Sequence, residues 1–153
     1  MSEDTTAREA CDLGWSIAML GRRYAAIVDP VFETFPRGAR GYQLLHTVIH
    51  KRIPTQNALA DYLGIDRTVM PYFVDDLQSA GFVQRQDDPR DRRVRTVIAT
   101  PEGITRYQEL SQQVLRAEQA FFDGIGDEDR AVFVHSLSLL ARLSRDDTSS
   151  RGR

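Results

Sequence analysis

The sequence predicts a mainly α-helical fold with one small β-hairpin, and three observations lead to it. Apolar residues recur at steps of three and four through most of the chain. That period gives way to a short, arginine-rich alternating stretch between Phe82 and Ala99. Capping residues, glycines and prolines punctuate the rest at helix boundaries. A chain of 153 residues with 41% hydrophobic content can bury one core without a metal or disulfide staple. Cys11 stands alone, which excludes an internal disulfide framework. No apolar run reaches the roughly 18–20 residues of a membrane span, and Met1–Ala10 is too polar for a secretion signal. A cytoplasmic protein is the expectation.

From about Thr5 to Phe35, the residues Leu13, Ile17, Leu20, Tyr24, Ile27, Val31 and Phe35 place one apolar stripe along a long helix. Pro30 should kink or locally unwind it. A second helix is predicted over Ala39–Lys51, with Tyr42, Leu45, Val48 and Ile49 inward. Thr55 is a candidate N-cap for a short helix ending near Leu63, and Gly64 supplies the turn. Asp66 is expected to cap a further helix to about Ala80, with Met70, Phe73, Val74 and Leu77 buried and Gly81 closing it. Phe82–Gln86 and Arg93–Ala99 read as strands around a turn at Asp87–Arg92. Thr100-Pro101 is a strong helix start, and the helix after it carries Ile104, Tyr107, Leu110, Val114, Ala117 and Phe121 on one face. Gly124–Gly126 breaks that helix, Asp127 should cap the last one, and Arg145–Arg153 reads as a disordered tail.

The terminal helices carry more apolar surface than a small domain covers by itself, so a two-fold dimer built from both ends of the chain is expected. The division is then dimerisation helices at 5–35 and 101–146 and a lobe at 39–100.

Net charge is −2, so nucleic-acid binding must be argued from where charges sit. Phe82–Arg95 holds five arginines against three aspartates, a local excess of positive charge. Two short helices joined by a glycine turn, followed at once by a β-ribbon with arginines at its tip, form a helix-turn-helix with a wing. Such a ribbon suits the minor groove, where negative potential is focused. Asp91 and Arg93 stand close enough to pair or orient one another, leaving Arg90 and Arg92 toward phosphate.

The run from Asn57 to Thr68, Leu77-Gln78-Ser79-Ala80-Gly81-Phe82-Val83, and Asp88-Pro89-Arg90-Asp91-Arg92-Arg93 followed by Thr100-Pro101-Glu102-Gly103 resemble the MarR family of transcriptional regulators. The likeness runs from about residue 10 to 145. It implies a homodimer on a pseudo-palindromic DNA operator, usually as a repressor. It also implies a recognition helix in the major groove and a wing in the flanking minor groove. On that resemblance Arg67, Thr68, Pro71 and Tyr72 meet the major groove, Arg93 is the wing-tip reader and Asp91 its orienting partner. Thr55 and Gln56 would meet phosphate, with Arg37 and Arg40 as further backbone contacts. Asp75 and Asp76 depart from the pattern of many relatives and would weaken attraction to DNA, shifting affinity to the wing. Pro71 would remove one hydrogen bond inside the recognition helix.

The family's effectors are commonly small aromatic or phenolic molecules, held between the dimerisation helices and the DNA-binding lobe. Trp15, Met19, Phe35, Tyr42 and His46 are the candidate lining. Cys11 invites a peroxide-sensing alternative, but the sensing thiol of those relatives would align with Gly14. The adjacent Asp12 also opposes thiolate formation. His46 and His50, four apart on one helix face, could grip a zinc ion, but no third ligand clusters near them. No catalytic constellation is present, so neither an enzyme nor a bound cofactor is expected. The expected function is a ligand-responsive repressor, and the alternative class is a winged-helix protein-interaction module without specific DNA binding.

Overall fold

In the computed structural model, which describes residues 12–53 and 55–150 with side chains through Arg145, helices dominate. Helix α1 (Leu13–Val28) leads into a 3₁₀ turn (Asp29–Phe32), then α2 (Gly38–His50), α3 (Gln56–Leu63) and α4 (Met70–Ser79). Strands β1 (Val83–Asp87) and β2 (Arg95–Ala99) follow, then α5 (Pro101–Phe121) and α6 (Asp127–Ser150). The 3₁₀ turn contains Pro30, which lacks the N–H that would continue α1 and so ends it. Thr5–Cys11, the expected start of that first helix, lies outside the described residues, and with it Cys11.

One core joins the helix-turn-helix to the hairpin and to α5. Leu44, Leu45, Leu59, Met70, Val74, Leu77 and Leu110 are completely buried, and Val83 and Val97 close the core from the hairpin side. Each such side chain contributes roughly 1.5–3 kcal/mol of burial. The inward face of α2 is broader than Tyr42, Leu45, Val48 and Ile49, because Gly41, Leu44 and Thr47 are buried as well. Phe35 stacks on Phe82 at 5.3 Å, pinning the turn after α1 to the root of the hairpin.

Four boundaries differ from the sequence expectation. Helix α4 begins at Met70, not after Asp66, because Asp66 folds its own turn first. Its carboxylate accepts from the Thr68 N–H and hydroxyl, and its carbonyl accepts from Val69 and Met70. Pro71 therefore lies in the first turn, where a missing N–H costs no helical bond, and not inside the helix. The hairpin loop is longer than expected. The register pairs Val83 with Ala99 and Asp87 with Arg95, leaving Arg93 and Val94 outside the ladder. Asp127 is the first residue of α6 and not its cap, since the Gly126 carbonyl accepts the Arg130 N–H. Finally, Arg145–Ser150 continues α6 and is not an irregular tail. Once a helix is nucleated each further residue adds a bond, and this stretch has no glycine or proline to stop it.

Candidate nucleic-acid interface

Helices α3 and α4 are set by local chemistry. Thr55 is the N-cap of α3, its hydroxyl accepting from the Ala58 N–H, and an isolated bridge from Thr55 to Thr96 ties that end to β2. Gly64 turns the chain with φ of 63°, a left-handed conformation that glycine adopts without strain. The Asp66 turn then presents Arg67, Thr68 and Val69 to solvent, followed on α4 by Tyr72, which is 61% exposed. Hydrogen bonds from Thr68 hold the Asp66 carboxyl below the usual carboxylate range.

The arginines divide into committed and uncommitted groups. Arg85, on β1, is the hub between hairpin and helices. It pairs with Asp75 at 2.7 Å and donates to Gln78, Gln56 and the Pro71 carbonyl at 3.2–3.3 Å. Arg37 pairs with Asp76 and lies over the Phe73 ring, while Arg40 donates to the Leu63 carbonyl. Arg67 is held by both oxygens of Asp61, at 2.8 and 2.6 Å, and this pair holds the Asp61 carboxyl well below its ordinary value. Arg95 sits 3.9 Å from Asp87. Arg90, Arg92 and Arg93 are exposed, and their side chains have no partner among the described residues.

The loop aspartates explain that freedom. Asp88 accepts from the Arg90 N–H and Asp91 from the Arg93 N–H, so both carboxylates cap backbone instead of neutralising guanidinium groups. Asp91 orients Arg93 through its main chain, not by the side-chain pairing its spacing suggested. Asp75 and Asp76 are likewise spoken for by Arg85 and Arg37, which removes most of the repulsion expected from the acidic helix. A groove of about 700 Å³ brings Thr55, Gln56 and Arg93 together with Asn57, Asp75, Arg85, Val94 and Arg95.

A second cavity, of about 630 Å³, lies between α1, α2, α3 and α5. Tyr42 and His46 line it with Tyr24, Tyr62, Tyr107 and Glu118. Tyr42 stacks on Tyr107 at 5.4 Å, Tyr24 donates to Glu118 at 2.8 Å, and His46 Nδ1 lies 2.9 Å from the Tyr107 hydroxyl. Burial, reinforced by Glu118 for Tyr24 and by Tyr107 for Tyr42, pushes both phenols above their ordinary range, so they remain hydroxyl donors. Phe35 belongs to the core beside Phe82, while Trp15 and Met19 are exposed on α1 and do not line this cavity. His50 faces His46 with ring centroids 4.8 Å apart, and no group of three metal-ligating side chains occurs among the described residues.

Among the cavity residues the sequence did not assign to an effector site are Tyr24, Tyr62, Tyr107 and Glu118. Tyr24 and Glu118 are 94 positions apart, a distance no local pattern spans. Asp61 and Arg85 were missed for a different reason, since only the tertiary position of Arg67, Asp75 and Gln56 gives them partners.

Burial, and then the positive charge of His50 and Lys51, lower the His46 pKa. The unfolded chain therefore takes up the His46 proton first, and stability should fall as pH drops below about 6.5, the ordinary histidine value. Melting temperatures followed between about pH 7.5 and 5 are expected to decline more steeply in the wild type than in His46→Gln. Parallel profiles would contradict the assignment.

Residues 38–94, which contain α2 through the hairpin loop, match the family model described as the MarR family. The chain is 29% identical over 109 residues to a putative transcriptional regulatory protein for the hcr operon of Thauera aromatica, covering 71% of this chain and 64% of that protein. It is 28% identical over 81 residues to the HTH-type transcriptional regulator YwoH of Bacillus subtilis, covering 53% of this chain and 58% of that one. This chain thus spans about three fifths of the length of those relatives. A MarR-family regulator from Rhodococcus sp. RHA1 superposes with a TM-score of 0.75 at 24% identity, over 86% of this chain and 95% of that one. CouR from Rhodococcus jostii RHA1, bound to p-coumaroyl-CoA, gives 0.72 at 26% identity, over 85% and 92%. BpsR of Bordetella bronchiseptica, whose DNA binding is regulated by 6-hydroxynicotinic acid, gives 0.73 at 19%, over 84% and 92%. Helix order and hairpin agree with those structures, so this chain has the winged helix-turn-helix fold of the MarR regulators, and its residues 38–94 carry the match to that family's model.

Proposed function

We propose that this protein is a sequence-specific, double-stranded-DNA-binding repressor in the cytoplasm, released from its operator by a small aromatic effector. The observation that carries this reading is the distribution of free charge. The cations around α4 are paired within the fold, whereas Arg90, Arg92 and Arg93 stand unpaired on a protruding ribbon. Free guanidinium groups on such a ribbon suit phosphate and the narrow minor groove. Thr68, Val69 and Tyr72 are the exposed positions at the start of the recognition helix, and Thr55 and Gln56 sit in the same groove as Arg93. Arg67 acts there through the guanidinium edge that Asp61 leaves open.

The functional unit is a homodimer. Leu13, Trp15 and Ile17 on α1 are more than 60% exposed, as are Val132 and Leu140 on α6, so two helices present apolar faces that this chain alone does not cover. A two-fold pairing buries both and sets two wings at operator spacing. The segments 5–35 and 101–146 serve that pairing, and the lobe at 39–100 reads DNA. The effector occupies the tyrosine-lined cavity between these parts. The 6-hydroxynicotinic acid that regulates BpsR and the p-coumaroyl-CoA bound to CouR are both built on aromatic acids, which supports that class.

Fluorescence anisotropy with duplexes from the gene's own upstream region tests the reading. The expected result is saturable binding at low salt, with log affinity falling linearly in log salt by about 0.9 per phosphate neutralised. Absence of binding to any such duplex at low salt would overturn it in favour of a protein-interaction module.

A further inference from the structure

We propose that Asp61 is a specificity-determining residue, whose clamp turns Arg67 from a phosphate anchor into a reader of guanine in the operator. The proposal rests on the DNA-binding reading above. Arg67 donates its Nε–H to one carboxylate oxygen of Asp61 at 2.8 Å and an Nη2–H to the other at 2.6 Å. Asp61 lies near the end of α3 and Arg67 in the turn that precedes α4. That turn is firmly placed. The Ile65 N–H donates to the Ala60 carbonyl at 3.0 Å, and the Ile65 side chain is buried. The adjacent carboxylate, Asp66, bonds to the Thr68 N–H and hydroxyl instead of to Arg67.

Geometry decides what Arg67 still offers. A guanidinium carries its N–H donors in a rigid planar fork. Asp61 consumes the Nε–Nη2 edge, which leaves the Nη1–Nη2 end with two parallel N–H groups. Such a pair of donors matches O6 and N7 of guanine in the major groove. Charge works in the same direction. The carboxylate offsets the guanidinium charge and so weakens attraction to phosphate on any sequence. A base edge presents neutral acceptors, so that contact depends more on where the donors point than on net charge. Both side chains are more than half exposed, so the pair adds little to stability. What it fixes is the direction of a long side chain that would otherwise sample many rotamers.

Fluorescence anisotropy on the full chain tests this with the upstream-region duplex that binds most tightly and with an alternating dA·dT duplex, which has no guanine. In the first duplex each guanine is replaced in turn by 7-deazaguanine, which keeps base pairing and loses the N7 acceptor. For the wild type, replacing the guanine that Arg67 meets in a half-site should weaken binding about tenfold. Asp61→Asn keeps the size of the side chain and removes its charge, and there the penalty should shrink below about threefold. The same variant should bind the guanine-free duplex more tightly than the wild type does. Its salt slope there should be steeper by about 0.9 for each Arg67 released to phosphate. A folding defect can only weaken binding, so this gain separates positioning from a merely structural role. The proposal is overturned if no guanine is sensitive in the wild type, if the penalty persists in Asp61→Asn, or if guanine-free affinity does not rise. Absence of wild-type binding to every upstream duplex overturns the repressor reading and this proposal with it, so the wild-type arm tells the two failures apart.

Discussion

Removing the three uncommitted guanidinium groups in Arg90→Ala/Arg92→Ala/Arg93→Ala is expected to weaken operator binding about a hundredfold or more, with little change in stability. All three residues are exposed, and their side chains have no partner among the described residues, so alanine leaves no described buried group orphaned. Each contact to phosphate or base edge is worth roughly 1–3 kcal/mol, and three of them reach about two orders of magnitude. The slope of log affinity against log salt should fall in magnitude by nearly three units, about 0.9 for each phosphate contact removed. Arg93→Ala alone should cost at least about 1 kcal/mol, since Arg93 also borders the groove that contains Thr55 and Gln56. Anisotropy titrations across a salt series measure both quantities. Affinity within about threefold of wild type would place DNA reading elsewhere in the lobe.

A large stability effect is expected from adding a single methyl group, in Gly103→Ala. A Cβ at Gly103 would lie 2.0 Å from the Phe82 carbonyl oxygen and 2.8 Å from its carbon. The obstacle is backbone, so no side chain can rotate aside. That carbonyl is also anchored, because it accepts the Thr100 N–H at 3.0 Å. Thr100 meanwhile caps α5 by accepting from the Gly103 N–H and donates its hydroxyl to the Gly81 carbonyl. The end of α4, the start of β1 and the first turn of α5 therefore meet at one joint. Alanine would gain about 1 kcal/mol in helix propensity, and the clash opposes it. Forcing the joint apart should cost about 1–3 kcal/mol net, as overpacked cores do. Urea denaturation should show a lower midpoint with an unchanged m-value. A midpoint equal to or above wild type would mean that α5 shifts freely against the hairpin.

Much of the lobe was legible without coordinates. Thr55, Gly64, Gly81 and Thr100 each place a boundary by local hydrogen bonding or backbone conformation, and local rules survive in any tertiary setting. The start of α4 was misplaced because Asp66 has two local options, a helix cap or its own turn, and its bonds with Thr68 select the turn. The hairpin loop is longer than its sequence pattern predicts for a similar reason. Asp88 and Asp91 look like charges opposing the arginines, but their oxygens are consumed by main-chain N–H groups.

The sequence by itself determined the order of helices, the hairpin, its excess of arginine and the turn residues between them. Periodicity and capping are properties of neighbours along the chain, so they could be read directly. Only the tertiary structure decided which charges are free. Asp75 and Asp76 become internal partners of Arg85 and Arg37, and Arg67 is clamped by Asp61. Uncommitted positive charge around the helix-turn-helix is thereby concentrated on the wing. The tyrosine cavity has the same origin, since Tyr24, Tyr42 and Tyr107 come from three helices and meet only when the core closes. Electrostatic pairing depends on distance in space, and folding sets that distance.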